Sequence, residues 1–509
     1  MLSSYRALAS AAAAALLAAA GTARAETLLD AIELAYSTNP TLQAQRAAQR
    51  ALDEEYVQAQ AALRPTINAS VSDTYTKLSE NNDTFLPGPF KLQTETAGVN
   101  LTQPIYTGGA ATAAIRAAER DVLQGRETLR ATEAQIMGMV IQAYMDVMRD
   151  AESVRIEQEN LAVLQRQLQE TSAEFDVGEV TRTDVAQAEA RLAAAQASLS
   201  AAQAQLQVSR ANYAQVVGQT PGDLAAPPSL TGVPATFDAA LDIAEKENPS
   251  LLGAQYGELA ARSRVAEARA AYRPTLSAQV SYQVQRQPLG TQFVNTGSGL
   301  EPFTENPYQH TFTAGATLSV PLFTGGARGS KVRQALAQDN QAVYGVEGQR
   351  RLVLQSISQD WAQISSSHAQ TLSNEEQVKA AAVAAEGERQ EAQVGLRTII
   401  DVLNAEQELR TSQLSLVQSR HDEYVFTAQL LATMGRLEIR YLNPAAPAYN
   451  PKRNFDQVRM KGWTPIDPIV NAFDAAGAPS GGGGGKATTA PIDSDLNQRG
   501  VARPAPLHP

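Results

Sequence analysis

Four stretches alternate apolar and polar residues with a period of two. Ile67, Ala69, Val71 and Tyr75 face one way while Asn68, Ser70, Ser72, Thr74 and Thr76 face the other, and Ala97, Val99 and Leu101 alternate with Thr96, Gly98, Asn100 and Thr102. The same pattern returns at Leu276 to Gln285 and at Thr311 to Val320. Such alternation predicts half-buried strands, paired here as two hairpins across loops at about 80–91 and 287–308. Between the hairpins the period changes. Ile115, Val122, Leu129 and Ile136 recur at sevens, a step of four leads to Val140, and the sevens resume through Val147, Val154, Leu161, Leu168 and Phe175. No proline interrupts this run, so it predicts a helix of about 67 residues and about 100 Å. A return helix carries Val185, Leu192, Leu199, Leu206 and Tyr213, again at sevens, which predicts antiparallel coiled-coil packing.

The second half repeats the first. Gly178 and Gly395 lie 217 residues apart, as do Asp184 and Asp401 and the endpoints Gly218 and Gly435. Tyr144 corresponds to Trp361. The earlier landmarks Asn39-Pro40 and Arg64-Pro65 return as Asn248-Pro249 and Arg273-Pro274, offset by 209, which puts an eight-residue insertion in the second strand loop. The chain reads as an internal duplication. Expected boundaries are a first repeat at 26–217, with its β-hairpin at about 66–104 and long helical hairpin at about 110–217, and a Pro-rich linker at 218–236. The second repeat is expected at 237–442, with its β-hairpin at about 275–321 and helical hairpin at about 327–435. A Pro/Gly-rich tail at 443–509 is expected to be largely disordered, beyond about residue 470 in particular.

Three kinds of joint punctuate the repeat. Val177-Gly178 and Val394-Gly395 suit helix ends, because glycine takes the left-handed conformation without steric cost, and the Thr and Asp that follow can cap the next helix. Pro104 with Gly108-Gly109, and Pro321 with Gly325-Gly326, suit strand-to-helix passages: proline removes a ladder donor and the glycine pair permits a sharp turn. At the N-terminus, Arg6, the run Ala7 to Ala20 and Ala23-Arg24-Ala25 read as a signal peptide over 1–25, with the mature chain starting at Glu26. That run falls short of the roughly 20 apolar residues of a spanning helix, and no later segment is long and apolar enough.

Composition narrows the function classes. A net charge of −11 argues against nucleic acid, and the absence of cysteine removes thiolate nucleophiles and Cys-based metal sites. His310, His368, His421 and His508 sit in unrelated segments without ligand spacing, so no metal or cofactor is expected. Gly481 to Lys486 fails as a phosphate loop because Ser480 and Ala487 stand at required positions. An enzyme is therefore not expected. Tyr144 and Trp361 read as packing residues, and the Glu and Gln of the long helices as solvated faces.

The strands are about as long as the 9–11 residues that cross a bilayer, with Ser/Thr/Gln/Asn rather than charges on their polar faces. An exported chain without a helical anchor is then read as a membrane β-protein. Four strands cannot close a barrel, because an open edge would leave backbone groups unpaired in hydrocarbon. Three chains would give twelve strands with room for a lumen, continued by a ring of helices.

In their order and paired recurrence these landmarks, above all Pro-Ile-Tyr-Thr-Gly-Gly, Pro-Leu-Phe-Thr-Gly-Gly and Val-Gly-Leu-Arg-Thr-Ile-Ile-Asp-Val-Leu, give a chain that resembles the TolC family of outer-membrane efflux proteins over about 26–440. The resemblance implies an α+β membrane protein, a homotrimer whose twelve-stranded outer-membrane β-barrel continues as an α-helical barrel through the periplasm. It implies the exit duct of a tripartite efflux pump or type I secretion system, docked on a periplasmic adaptor protein and an inner-membrane transporter of ABC or RND type. It also places a gate at the periplasmic tips, with Asp401 in an acidic ring, Arg397 as a link to the neighbouring hairpin, and Thr183 and Asp184 as its partners. The family's second acidic ring falls on Asn404 here, which predicts a single ring and weaker cation preference. Val177, Gly178, Val394, Gly395 and Leu396 are the expected adaptor-docking positions. The rival reading, a trimeric coiled-coil adhesin with a barrel anchor, would carry its strands once at the C-terminus, whereas this chain has them in both halves.

Overall fold

A computed structural model describes residues 25–78, 90–286, 292–295, 300–303 and 308–481. The expected signal peptide and the last 28 residues of the tail lie outside them, apart from Ala25. In order, the elements are α1 (Leu28–Thr38), α2 (Pro40–Ala61), β1 (Thr66–Leu78), β2 (Phe90–Tyr106), α3 (Ala110–Asp176), α4 (Arg182–Val217), α5 (Phe237–Glu247) and α6 (Pro249–Ala270). There follow β3 (Thr275–Arg286), β4 (Gln292–Asn295), β5 (Leu300–Phe303), β6 (Tyr308–Ser319), α7 (Ala327–Gln393) and α8 (Ile399–Thr433). Three short helices close the described chain: α9 (Ile439–Leu442), α10 (Lys452–Val458) and α11 (Asp467–Ala476).

The strands form one antiparallel sheet in the order β1-β2-β3-β6, so the two hairpins join through β2 and β3. Register carries the alternation through the whole sheet. Ile67, Leu101, Val280 and Ala314 lie in one row across the strands, and Ala69, Val99, Tyr282 and Phe312 in another. Between these run Asn68, Asn100, Ser281 and Thr313, one polar row flanked by apolar ones. Because side chains alternate faces, all the apolar rows share one surface. That surface is bare: Val71 is 86% exposed and Phe312 69%. Within the expected loop at 287–308, β4 and β5 pair as a small separate ribbon, which the sequence reading passed over.

The two long helices, α3 and α7, have 67 residues each. Each folds back through a short turn onto α4 or α8, and α3 also packs along α2, α6 and α8. The heptad positions Val122, Leu129, Ile136, Val140, Val147 and Val154 are all buried, whereas Leu161 and Leu168 are half-buried and Phe175 is exposed. Within one chain, packing thus thins toward the tips. Its thickest part lies midway, where Leu28 and Ile32 of α1, Met137, Ile141 and Tyr144 of α3, Tyr213 of α4, Ile357 and Trp361 of α7, Leu430 of α8 and Met434 just after it form one core shared by both halves. Tyr144 and Trp361 are packing residues, as expected; the Tyr144 hydroxyl also donates to the carbonyls of Glu26 and Ala225, tying the linker to α3. Some helix carboxylates are not solvated: Glu157 is buried and paired with Arg410 at 2.8 Å, which joins α3 to α8.

Two expectations need correction. The first joint does not end at Pro104: β2 runs on to Tyr106 through an irregularity in register, since a proline lacks only its own donor and the carbonyls around it still pair. The described part of the tail, residues 443–481, is ordered and includes the short helices α10 and α11. Its composition suggested too little apolar surface to fold, but it uses a surface already built by α2, α3 and α6. Phe455 packs on Tyr56, Arg64 pairs with Asp467 at 3.0 Å, Phe473 meets Tyr106 edge-on, and Arg269 donates to the Ser480 carbonyl.

Candidate functional site: the two hairpin tips

Each tip is built in the same way. After α3 and after α7 a glycine takes positive φ, +82° at Gly178 and +76° at Gly395, and the chain reverses. A threonine then caps the returning helix. Thr181 and Thr398 each donate hydroxyl and backbone N–H to the aspartate three residues on, at 2.7 and 2.8 Å for Asp184 and 2.7 and 3.1 Å for Asp401. These are capping boxes, with the aspartate at the positive end of the helix dipole. The donors from Thr181 and Thr398 hold both carboxyls below the usual aspartate value, and Arg397 adds a smaller pull on Asp401. Both are solvent-facing anions at neutral pH.

The tips differ beyond the caps. Arg397 pairs with Glu391 of its own hairpin at 2.9 Å. Arg389 binds Glu406 across the same hairpin. Asn404 accepts a 3.1 Å hydrogen bond from Arg191 on α4, so its amide spans the two hairpins. Between the tips lies a cleft of about 460 Å³, on the scale of a small-solute site, whose lining includes Asp184 and Thr181 from one tip and Arg397 and Thr398 from the other. Sequence-selected residues from both copies therefore meet at one place, although Thr183 is not in that lining. Val177, Val394 and Leu396 are 73%, 70% and 76% exposed, apolar side chains presented at the far end of each hairpin. Farther up, Leu164, Ala195 and Leu403 form a small cluster that holds the hairpins together.

Sequence reasoning missed the seam between the halves. His421 on α8 is buried, with Nε2 at 2.8 Å from Asp146 of α3 and Nδ1 at 2.8 Å from Asp422. Burial opposes its charge, but the two carboxylates outweigh burial and a smaller repulsion from Arg149, and raise the imidazole above its ordinary value. His421-Asp422 offers no metal spacing, and Asp146 is 275 residues away, so no local pattern could reveal it. Among the described residues no cluster of His, Asp and Glu could hold a metal ion, and no helix is long and apolar enough to cross a membrane.

The family model for outer membrane efflux proteins matches residues 31–219 and again residues 240–436. The chain belongs to that family. It is similar to the outer membrane efflux protein BepC of Brucella suis biovar 1, at 32% identity over 439 residues, 86% of this chain and 92% of the relative. The alkaline protease secretion protein AprF of Pseudomonas aeruginosa is 27% identical over 421 residues, 81% of this chain and 85% of that protein. The crystal structure of VceC from Vibrio cholerae superposes with a TM-score of 0.67 at 23% identity, over 80% of this chain and 96% of the other, which shows the shared fold. This is an outer-membrane protein, the exit duct of an efflux or secretion route, with the family match falling on both halves; the adhesin reading, which needs strands once, drops out.

Proposed function

We propose that three copies of the chain close a twelve-stranded barrel in the outer membrane and a hollow helical tunnel below it, through which an inner-membrane transporter of ABC or RND type, joined by a periplasmic adaptor protein, expels its cargo. The observation that carries this is the sheet. Its apolar rows are bare on one face, and β1 and β6 each keep one unpaired edge within the chain. In hydrocarbon those edges must pair, and the edges available are those of other copies. Two copies would give eight strands and a side-chain-filled interior; three leave a lumen, as a duct requires. The half-buried heptads near the tips fit the same picture, since neighbouring copies would cover them. The halves, with long helices of equal length and successive family matches, support a tandem duplication with domain limits at 26–217 and 237–442.

At the periplasmic end the tips act as the gate. Asp401, repeated threefold, forms an acidic ring that focuses negative potential on the lumen. Asn404 and the Arg191 beside it leave the next level without an acidic ring, so cation preference is modest. Arg397 exchanges Glu391 for Asp184 or Thr183 of a neighbouring hairpin when the gate closes; its guanidinium already lines the cleft that Asp184 lines. The exposed Val177, Val394 and Leu396, turned out by Gly178 and Gly395, form the adaptor-docking surface.

Cross-linking of the detergent-solubilised protein tests the assembly, with a ladder ending at three copies expected and one ending at two overturning it. In planar bilayers under a salt gradient, Asp401→Asn is expected to move the reversal potential toward zero, while an unchanged potential removes Asp401 from the ring. Arg397→Ala is expected to raise conductance by loosening closure.

A further inference from the structure

The tail does not simply fill a groove. From Asn454, which donates to Asp53 of α2 at 2.8 Å, it passes Arg64 just before β1, then the β2-α3 joint, and reaches Arg269 near the end of α6, just before β3. It crosses three successive places where helix meets strand, so it runs around the neck of the molecule at the level of the strand ends. At the middle crossing the buried Asp474 carboxylate accepts from the backbone N–H of Thr107, Gly109 and Thr112 and from both threonine hydroxyls, at 2.7 to 3.2 Å. The segment is a collar with a fixed inner face.

Its outer face is apolar and largely exposed. Ile469 is 72% exposed, Met460 58%, Phe473 56% and Trp463 48%. Phe473 lies against Tyr106, the last residue of β2, so this patch continues directly from the bare apolar rows of the sheet. Exposed charge on the collar itself is positive: Lys452, Arg453, Arg459 and Lys461 stand against Asp456, with Arg459 in a long, exposed pair with Asp456 at 3.6 Å and Lys461 in another with Glu54 of α2 at 3.7 Å, while Asp467 and Asp474 are turned inward and buried. On a chain of net charge −11 this is a local reversal. A second copy would bring its bare Leu322 and Phe323, but the same joint carries Arg328, Lys331 and Arg333, which would repel the collar's cations. An anionic lipid surface satisfies both the apolar patch and the charge.

We propose that the collar, residues 452–481, lies in the plane of the periplasmic leaflet of the outer membrane, with Met460, Trp463, Ile466, Ile469 and Phe473 among the acyl chains and Lys452, Arg453, Arg459 and Lys461 at anionic headgroups. This rests on the barrel reading above, which sets the strand ends at the membrane boundary. A collar there anchors the neck of the duct and holds the barrel's depth in the bilayer.

Trp463 is its own reporter, because the chain has two tryptophans and the other, Trp361, is buried in the core. The full-length protein is reconstituted in vesicles of phosphatidylcholine and phosphatidylglycerol whose acyl chains carry bromine near the headgroup, beside a Trp463→Phe variant that identifies the Trp463 share of emission. Loss of most of that share to bromine is expected, together with protection from acrylamide. Trp463 that remains open to acrylamide and unquenched by bromine is in water, and Trp463 shielded from both is covered by protein; either result overturns the proposal. A double variant, Arg459→Glu with Lys461→Glu, is expected to lower the bromine quenching, and unchanged quenching overturns the headgroup assignment. Ion conductance of the same vesicles reports barrel insertion separately, so failure of the collar and failure of the barrel give different results.

Discussion

The two strand-to-helix joints share a sequence pattern and differ in almost everything around it. Both use a glycine pair with positive φ, Gly108-Gly109 and Gly325-Gly326, to turn from strand to helix. At the first joint Asp474 gathers five donors, and Gly109 lies so close to Ala478 that any Cβ there would collide with it. At the second, Leu322 and Phe323 are 93% and 89% exposed, nothing lies within contact distance of Gly326, and Gly329 stands where the first joint has Thr112. The tail reaches the first joint and clasps it, and leaves the second uncovered within the described chain. The two joints share the turn; the tail makes them unequal.

The largest expected effect tests that inequality. Asp474→Ala strands three backbone donors, that of Gly109 buried and those of Thr107 and Thr112 partly so, and two hydroxyls, and is expected to cost about 3 kcal/mol, read as thermal destabilisation and early proteolysis within the collar. Its pH dependence has a definite sign. Burial pushes the Asp474 carboxyl up, but the Thr107, Thr112 and Gly109 donors prevail and hold it below the ordinary value. The clasp's contribution is therefore full above about pH 4 and lost as pH falls through the lower folded value, so mild acid should leave the collar in place. A collar released by proteolysis near neutral pH would break the comparison.

The seam between the halves gives a smaller effect of opposite sign. With its folded pKa raised, His421 contributes fully below about pH 6.5 and loses its contribution as pH rises through the folded value. Melting temperature should fall across that range, and His421→Gln should flatten the profile; a flat wild-type profile would show that the imidazole carries no charge there. At the tips, where the halves are most alike, Thr181→Ala and Thr398→Ala should speed local amide exchange about equally, by about fivefold each. Unequal effects would mean that the tips differ in more than charge. The smallest change belongs to the second joint, where Thr324→Ala, the counterpart of a Thr107 substitution, is expected to stay within about 0.5 kcal/mol because nothing clasps that hydroxyl.

Much was readable before any coordinates. Period two at Ile67 to Tyr75 and period seven at Val122 to Val154 depend on which face a residue presents, and that is a property of neighbours in sequence. The same holds for the glycine turns and for the Thr-x-x-Asp caps at 181–184 and 398–401, whose partners are three residues apart. The site was legible as two tips. That Asp184 and Arg397 line one cleft, and that Asn404 is held by Arg191, required the hairpins to be laid side by side.

By itself, then, the sequence determined the elements, their repetition and the two faces of the sheet, because each follows from local backbone geometry and hydrophobic period. Tertiary structure alone decided the rest. Asp474 meets Thr107 across 367 positions and His421 meets Asp146 across 275. Contacts between polar groups hundreds of residues apart leave no local pattern to announce them, and the tail finds its partners only on the surface that α2, α3 and α6 present together.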